Sequence, residues 1–577
     1  MTNNKDTKSD KKTIITLKEL KCSTYNEIED IHLNSIDVLF LSLPSYKMCS
    51  IGKLLDTVFY IHERIKKECH LLIYSDNETL ALLCYGIEKN TSLKYKTWIS
   101  IRKEMHQTEN RLPNETKGLV IFNQTYQSLN ILPIRLPYTY CPACNKTTKD
   151  YGGKKHLFDS YGTLMSDVWK DFTVTENDEM PKLVLNRVKE MFSIEPNRVM
   201  VSITLHDFDW DSCSEQLVEY PELDSDIDNK EENTIIDSSK LMNGDVLEEI
   251  RKIPSNSIDY IFVDPPYNLK KKYTGYHDNL EIEEYFKWCD KWLSECHRVL
   301  KPGRYLSVLN LPLWSVRHYA FLQTKMEFTA WITWESLSRP AGSIMPSNYV
   351  IITFQKRPIE RTSASINIRG IELPLADYYC LRQQCISKRT PIYKPLSDLW
   401  TDIHRLKHNS RRFDHPCQLP PKLMNRLISI YSNPGDFVLD CFNGVGTTTL
   451  CAEVLKRKYI GIELIEKYHN TALSRHTDIQ LGLDPFRKND INANQKTKNN
   501  EERRVISPIP KKGSLTKKKV QLLIKELSNT LGRIPNEEEA LAYLDVPKDF
   551  YEKYFKNWGE VTAATKTTGM TEEKISL

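Results

Sequence analysis

The 577-residue chain is predicted to be an α/β protein whose doubly wound, largely parallel sheet occurs twice and is followed by a small all-helical module. Three observations predict this. Two apolar runs end in turns rich in chemistry, at Val263-Asp264-Pro265-Pro266-Tyr267-Asn268 and at Asp440-Cys441-Phe442-Asn443-Gly444-Val445-Gly446. Segments of the first half parallel segments of the second in the same order. The last sixty or so residues switch to helical periodicity. A chain of this length accommodates three or four domains, each able to bury a core.

Residues 13–215 form the first predicted domain. Ser35-Ile36-Asp37-Val38-Leu39-Phe40-Leu41-Ser42-Leu43-Pro44-Ser45 parallels Ser257-Ile258-Asp259-Tyr260-Ile261-Phe262-Val263-Asp264-Pro265-Pro266-Tyr267. Thr97-Trp98-Ile99-Ser100 parallels Ala330-Trp331-Ile332-Thr333, Ser166-Asp167-Val168-Trp169 parallels Ser397-Asp398-Leu399-Trp400, and Pro181-Lys182-Leu183 parallels Pro421-Lys422-Leu423. Four matches at nearly constant offset point to an internal duplication. The first copy is degenerate: Ser42, Leu43 and Ser45 stand in place of an acid, a proline and a tyrosine, and Val201-Ser202-Ile203-Thr204-Leu205-His206-Asp207 has no glycine. Such a domain is expected to bind DNA or brace the second half and not to catalyse. Cys141-Pro142-Ala143-Cys144 has zinc-knuckle spacing, which would make a structural zinc site with Cys380 and Cys385, or with His156; two structural thiols near a turn explain it equally. In Lys149-Asp150-Tyr151-Gly152-Gly153-Lys154-Lys155-His156, glycines hinge a basic loop, making Lys154, Lys155 and His156 candidates for nucleic-acid phosphates, against the alternative of a solvated surface loop.

Residues 216–240 are acidic and poor in apolar side chains, and read as a linker. The second domain, 241–480, carries the chemistry. Ser257-Ile258-Asp259-Tyr260-Ile261-Phe262-Val263 reads as a buried strand, and the next residues sit at its carboxyl end, where open α/β sheets bind ligands. Pro265 and Pro266 fix φ and remove two N–H groups, which leaves a rigid turn with carbonyls facing outward. Asp264 and a neighbouring carbonyl are then able to accept the two N–H bonds of an exocyclic amine and aim its lone pair, while Tyr267 stacks on the base. The alternative for a bare Asp-Pro-Pro is a proline-terminated strand with a capping Asp. Asp436-Phe437-Val438-Leu439-Asp440 is a second strand, its loop kept close to a ligand by Gly444 and Gly446, and it opens the helix from Thr447. The loop lacks a P-loop lysine, which points to a cofactor with no phosphates to cradle. Lys458-Tyr459-Ile460-Gly461-Ile462-Glu463 ends in an acid placed for ribose hydroxyls.

On these residues, the region of about 241–477 resembles the S-adenosylmethionine-dependent amino-methyltransferases of DNA, in the β-type order. The family's Asp-Pro-Pro-Tyr falls on Asp264, Pro265, Pro266 and Tyr267, and its cofactor loop on Asp440, Phe442, Gly444 and Gly446. Its His-Pro-x-Gln-Lys-Pro segment appears as His415-Pro416-Cys417-Gln418-Leu419-Pro420, which makes Gln418 a cofactor-binding candidate; Leu419 replaces the lysine and puts that lysine's role in doubt. Asp245 matches a Gly-Asp near the cofactor adenine, although Asp also favours turns for its own reasons. Asp at the first catalytic position implies adenine N6 as acceptor; cytosine N4 and RNA remain alternatives, as does an inert DNA-binding protein. The resemblance implies a Rossmann-like methyltransferase sheet, S-adenosyl-L-methionine as cofactor, double-stranded DNA as partner, extrusion of the target base from the stack, and direct transfer without a covalent enzyme intermediate. It also suggests the modification side of a restriction-modification or phage-type system, with a cognate endonuclease. The internal duplication predicts a chain active as a monomer through its pseudo-dimer.

Residues 481–514 turn basic and Asn-rich and read as a second linker, able to lie along phosphates. Residues 515–577 are similar to a small helical repeat attached to homing endonucleases, which implies DNA contact; a three-helix tail with Phe550, Phe555 and Trp558 as its own core is the alternative. No apolar run is long enough to span a bilayer, and the polar start Met1-Thr2-Asn3-Asn4-Lys5-Asp6 lacks a signal-peptide core. A cytoplasmic protein is expected. The 14 cysteines are scattered, with Cys69, Cys84 and Cys451 inside apolar runs, as suits reduced thiols. The net charge of +4 decides nothing alone.

Overall fold

The structure is a computed structural model. It describes residues 16–486 except 108–110, 127, 139, 142–144, 148–158, 160–161, 176–177, 194–197, 222–237, 270–271, 274–275, 278, 337–341, 359–365, 367–371, 375–392, 407–412, 414 and 416, and beyond 486 residues 520–521, 524–525, 527–528, 534–544, 555 and 557–562.

The first half folds around seven strands: β1 (Thr16–Lys21), β2 (Val38–Ser42), β3 (His70–Ser75), β4 (Lys94–His106), β5 (Asn114–Asn123), β6 (Val168–Val174) and β7 (Val199–Thr204). Their order across the sheet is β1-β7-β2-β3-β5-β4-β6. Val-Leu-Phe-Leu-Ser of β2 and His-Leu-Leu-Ile-Tyr-Ser of β3 are buried throughout, which is why they read as continuous apolar runs without alternation: helices or loops cover both faces. Helix α1 (Ile51–His62) starts where the Ser50 side chain accepts from the Lys53 N–H, and α2 (Asn77–Asn90) where Asp76 accepts from Thr79. Each cap satisfies a backbone donor that the first turn leaves orphaned. Helix α3 (Lys182–Phe192) packs Val184, Leu185, Val188, Met191 and Phe192 on the sheet.

The second half has eight strands: β8 (Lys240–Asn243), β9 (Ile258–Val263), β10 (Leu300–Asn310), β11 (Met326–Glu335), β12 (Asn348–Lys356), β13 (Leu399–Trp400), β14 (Phe437–Asp440) and β15 (Lys458–Glu463). The order is β8-β15-β14-β9-β10-β12-β11-β13. With β15 left out, this is the order of the first sheet, and the senses agree: β2 and β9 each lie parallel to the next strand, the two following pairs are antiparallel, and the edge strand is parallel. The segments that match in sequence fall on corresponding elements, β2 with β9, β4 with β11, β6 with β13, and α3 with α6 (Pro421–Tyr431), taking α4 as Ile282–Val299 and α5 as Pro312–Leu322. In the second half the glycine loop leads into α7 (Thr447–Val454), β15 and α8 (Glu466–Gln480). In the first half β1 pairs directly with β7, and this unit has no counterpart.

The halves join through their equivalent parts. Trp98 on β4 stacks on Trp331 on β11 at 4.6 Å and 16°, and the Thr333 hydroxyl meets that of Ser100 at 3.0 Å. Asp167 accepts the backbone N–H of Ser347 (2.8 Å) and Asn348 (2.9 Å) at the start of β12. Reciprocally, Asp398 accepts the N–H of Glu115 (2.7 Å) and the side chains of Asn114 (2.8 Å) and Thr116 (2.9 Å) at the start of β5. Burial pushes both carboxyls up to about 7 against the pull of these donors. Arg317 on α5 pairs with Glu88 on α2 at 3.4 Å.

Residues 216–221, part of the acidic segment read as a linker, lie against the first half: Gln216 donates to Asp56 at 2.8 Å, and Tyr220 stacks on Tyr85. Residues 481–486 stay with the second half, where the Pro485 carbonyl accepts from the Arg475 Nε at 2.9 Å. In the tail, Val520, Ile524, Leu527, Ala540, Phe555 and Val561 form a small cluster with Trp558 against it. Phe550 lies outside the described residues. Lys525 is buried and donates to the Arg135 carbonyl of the first half at 3.3 Å, so this lysine of the expected DNA-contacting module is spent on an internal contact. Among the described residues no helix is long and apolar enough to cross a membrane.

Candidate active site

Adjacent parallel strands bring the two sequence motifs side by side. β9 pairs with β14, Phe262 opposite Asp440, and β14 pairs with β15, Asp440 opposite Gly461. The turn 264–267, the loop 441–446 and Glu463 therefore all leave the sheet at one edge, the carboxyl ends of three neighbouring strands.

The turn is held from behind. The Tyr285 hydroxyl donates to the Pro266 carbonyl at 2.8 Å, and the Trp314 indole N–H donates to the Tyr267 carbonyl at 3.0 Å. Asn268, in the left-handed region at φ 53°, exchanges two 2.8 Å bonds with Leu280. Prolines 265 and 266 supply no N–H, so the turn's shape rests on these outside donors. Tyr267 is buried, and its hydroxyl donates to Asp264 at 2.8 Å; burial, then the Asp264 charge, push the phenol's pKa well up.

The loop depends on its glycines for different reasons. Gly444 has φ 52°, and a Cβ there would lie 3.2 Å from the His415 Nε2. Gly446, at φ 85°, begins α7, and its Cβ would press on Ala472 of α8 at 2.9 Å. A Cβ at Gly461 would strike the Asn443 side chain at 2.7 Å. Glu463 ties the loop to β15: one carboxylate oxygen accepts from the Gly444 N–H at 2.7 Å and the other from Ile465 at 2.8 Å. Burial raises its pKa to about 7 despite those two donors, and raises that of Asp440, which accepts from Phe442 at 2.9 Å, to about 6. Phe442 sits between Trp288 and Trp292 of α4, ring centres 5.6 and 5.5 Å away. Arg475 of α8 donates to the Val445 carbonyl from beneath and lies 4.3 Å over Phe413.

A cavity of about 250 Å³ opens between these parts. Of the residues predicted from sequence, it brings together Asp245, Asp264, Pro265, Pro266, Tyr267, Gln418, Asp440, Phe442, Gly444 and Glu463. Gly446 is not on its wall. Asp245 also caps the short helix Val246–Glu249, accepting from Leu247 at 2.8 Å, and Gln418 accepts from the Phe413 N–H at 2.8 Å; each thus has a structural duty besides facing the cavity. Leu419, in place of the lysine, lines it too. Four carboxylates face the space, and among the described residues no lysine or arginine does.

Sequence reasoning missed Trp288, Tyr468 and Asn443, which complete the wall. Helical spacing marks the first two only as core, and Asn443 lies inside the glycine motif with no role that its residue type alone would announce. His415 packs edge-on against Tyr468 at 4.6 Å and accepts the Cys417 N–H at 3.3 Å. Lys154, Lys155, His156 and Cys144 lie outside the described residues, as do Cys380 and Cys385. Cys141 is buried, and among the described residues no group of three or more His, Cys, Asp or Glu is placed to hold a metal, so zinc is without support.

Comparison with known proteins agrees with this geometry. A DNA methylase family model matches residues 258–474. The type II methyltransferase M.BamHI of Bacillus amyloliquefaciens is 37% identical over 236 residues, 40% of this chain and 55% of that protein, so the match spans about half of that relative's length. M.HpaI of Haemophilus parainfluenzae, also a type II methyltransferase, is 32% identical over 241 residues, 41% of this chain and 73% of the relative. The DNA adenine methyltransferase YhdJ of Escherichia coli (strain K12) is 31% identical over 248 residues, covering 41% and 83%. With the carboxyl ends of β9, β14 and β15 meeting at one cavity and relatives matched over most of their length, the chain belongs to the family of DNA methylases.

Proposed function

We propose that the chain transfers a methyl group from S-adenosylmethionine to the exocyclic N6 of adenine in double-stranded DNA. The observation that carries this reading is the cavity that joins Asp264 and Tyr267 to the glycine loop and Glu463. Its wall fits the cofactor: four carboxylates without a lysine or arginine among the described residues suit a cationic, phosphate-free molecule. When bound, S-adenosylmethionine supplies an electrophilic methyl on a sulfonium. Glu463 would accept the ribose hydroxyls and Asp245 would face the adenine end, with Asp440, Phe442, Gly444 and Gln418 as the remaining wall and Gly446 shaping the turn.

On the substrate side Asp264 accepts one N–H of the amino group and the Pro265 carbonyl accepts the other, which localises the lone pair on nitrogen. The Pro266 carbonyl is held by Tyr285 and serves rigidity. Asp264 also holds the proton that the amino nitrogen must shed, and Tyr267 lies along the base. Fixing acceptor and donor in line removes much of the entropic barrier to transfer. Asp at position 264 supports adenine over cytosine.

The first half is a degenerate copy of the second. Shared strand order, shared strand senses and four matched segments support this, as does the reciprocal contact of equivalent parts. It braces the second half and offers DNA the loop with Lys154, Lys155 and His156, and the pair works as one monomeric unit beside a cognate endonuclease in the cytoplasm.

The test is incubation with methyl-labelled cofactor and unmodified duplex DNA, followed by hydrolysis to nucleosides. Label in N6-methyladenine is expected. Label in N4-methylcytosine overturns the choice of base, preference for structured RNA overturns the substrate, and no label overturns the activity.

A further inference from the structure

Four acidic side chains and, among the described residues, no lysine or arginine line the cavity, so its wall offers no cation to the phosphates that an extruded nucleotide must bring with it. A cation for those phosphates has to stand at the rim. Arg405 is exposed and lies with its guanidinium carbon 4.1 Å over the ring of Tyr349. Tyr349, half-buried, has its ring centre 6.3 Å from that of Tyr267. Arg405 is therefore one ring away from the turn that holds the target base, and its charge reaches the Tyr267 phenol.

The segment that presents Arg405 is tied to α6 and to the end of β11. Asp402, three residues before it, takes a two-pronged pair from Arg426 (2.9 and 2.7 Å) and a third contact from Lys422 at 2.6 Å. The Trp334 indole N–H donates to the Ile403 carbonyl at 2.8 Å, and the Arg405 N–H to the Ser336 carbonyl at 3.4 Å. Trp334 also packs on Tyr349, ring centres 5.7 Å apart. A guanidinium already seated on an aromatic face loses less freedom when it grips a phosphate, and its planar fork suits that anion.

Building on the adenine-methylation reading, we propose that Arg405, seated on Tyr349, binds the DNA backbone phosphate beside the extruded adenine and so positions the base at Asp264. Nothing in the sequence motifs marks this residue.

The test uses the full chain and unmodified duplex DNA, with binding measured across a salt series. Loss of one phosphate contact reduces the slope of log affinity against log salt by about 0.9. Arg405→Ala and Arg405→Gln are expected to show this reduction and about a tenfold higher KM for DNA, with S-adenosylmethionine affinity by equilibrium dialysis unchanged. Arg405→Lys should keep the slope. Tyr349→Leu, which removes the seat and leaves the charge, should keep the slope and raise KM. Unchanged slopes in both Arg405→Ala and Arg405→Gln overturn the assignment, and so does an equal slope loss in Arg405→Lys. Wild-type protein that transfers no methyl group to DNA is a different failure, that of the underlying function.

Discussion

The two halves of this molecule share a sheet and differ in a site. β1-β7-β2-β3-β5-β4-β6 in the first and β8-β14-β9-β10-β12-β11-β13 in the second run in the same order with the same senses, and the second inserts β15 between its first two strands. That insertion brings α7, β15 and α8, the unit that anchors the glycine loop through Glu463 and Arg475. In the first half Ser42 ends the strand equivalent to β9, and its hydroxyl lies 3.3 Å from His206. The difference teaches that the sheet folds without the cofactor machinery, since burying two apolar faces needs only covering elements, whereas the site requires three strand ends together.

The largest effect that would break this comparison is on transfer itself. Asp264→Ala should slow methyl transfer by on the order of 10²- to 10⁴-fold, the range of a lost acid-base group, with cofactor binding nearly intact. Placing an acid in the other half, Ser42→Asp in the Asp264→Ala background, should restore nothing. A labelled-methyl assay reads both; rescue by Ser42→Asp would mean that the first half is a working site.

Next in size is Gly444→Val. A branched side chain resists φ 52° and meets His415, so affinity for S-adenosylmethionine should fall at least about tenfold by equilibrium dialysis, about 1.4 kcal/mol. Undiminished binding would place the cofactor elsewhere and remove the functional contrast between the halves.

The join comes third. Asp398→Ala strands the Glu115 N–H and its side-chain neighbours, and Asp167→Ala strands those of Ser347 and Asn348. Each should cost about 3 kcal/mol, seen as a lower midpoint of thermal unfolding. Similar losses would show that the interface is energetically as well as geometrically reciprocal; a loss in one alone would break the pairing. Both carboxyls sit at about 7 when folded against an ordinary 3.8. The folded chain therefore keeps protons that the unfolded chain releases, and stability falls as pH rises from about 4 to about 7. Asp398→Asn should flatten part of that fall.

The smallest effect is on pH and cofactor. In its proposed role Glu463, raised to about 7 by burial, would accept ribose hydroxyls best as a carboxylate, so affinity should strengthen as pH rises through 7. Glu463→Gln should bind more weakly with that dependence removed. An unaltered pH profile in this variant would assign the dependence to another group.

The residues that touch the cavity were largely legible in the sequence because their constraints are local. A double proline dictates a turn wherever it occurs, positive φ asks for glycine at 444 and 446, and an acid ending an apolar run is visible without a fold. Of the second sheet's strands, β9, β14 and β15 were legible for the same reason, whereas β10, β11 and β12, although largely buried, were not read as strands. What surrounds the site was not: Trp288 and Tyr468 have the spacing of any core residue, and Tyr285 and Trp314 support the turn through carbonyls 19 and 47 positions away. The likeness of the halves showed as four short matches. That they meet through those same matched segments, Trp98 on Trp331 and Asp398 at the start of β5, has no sequence signature, because a contact between separate segments leaves each one looking like an ordinary strand end.

By itself, then, the sequence determined the chemistry available at two strand ends and the places where the backbone must bend, since both depend on the residue types and their neighbours. Only the tertiary structure decided that β9, β14 and β15 lie side by side, that the cavity between them is walled by carboxylates, and that Arg405 comes within one ring of Tyr267. Those are long-range pairings, set by how apolar faces over the whole chain are buried at once.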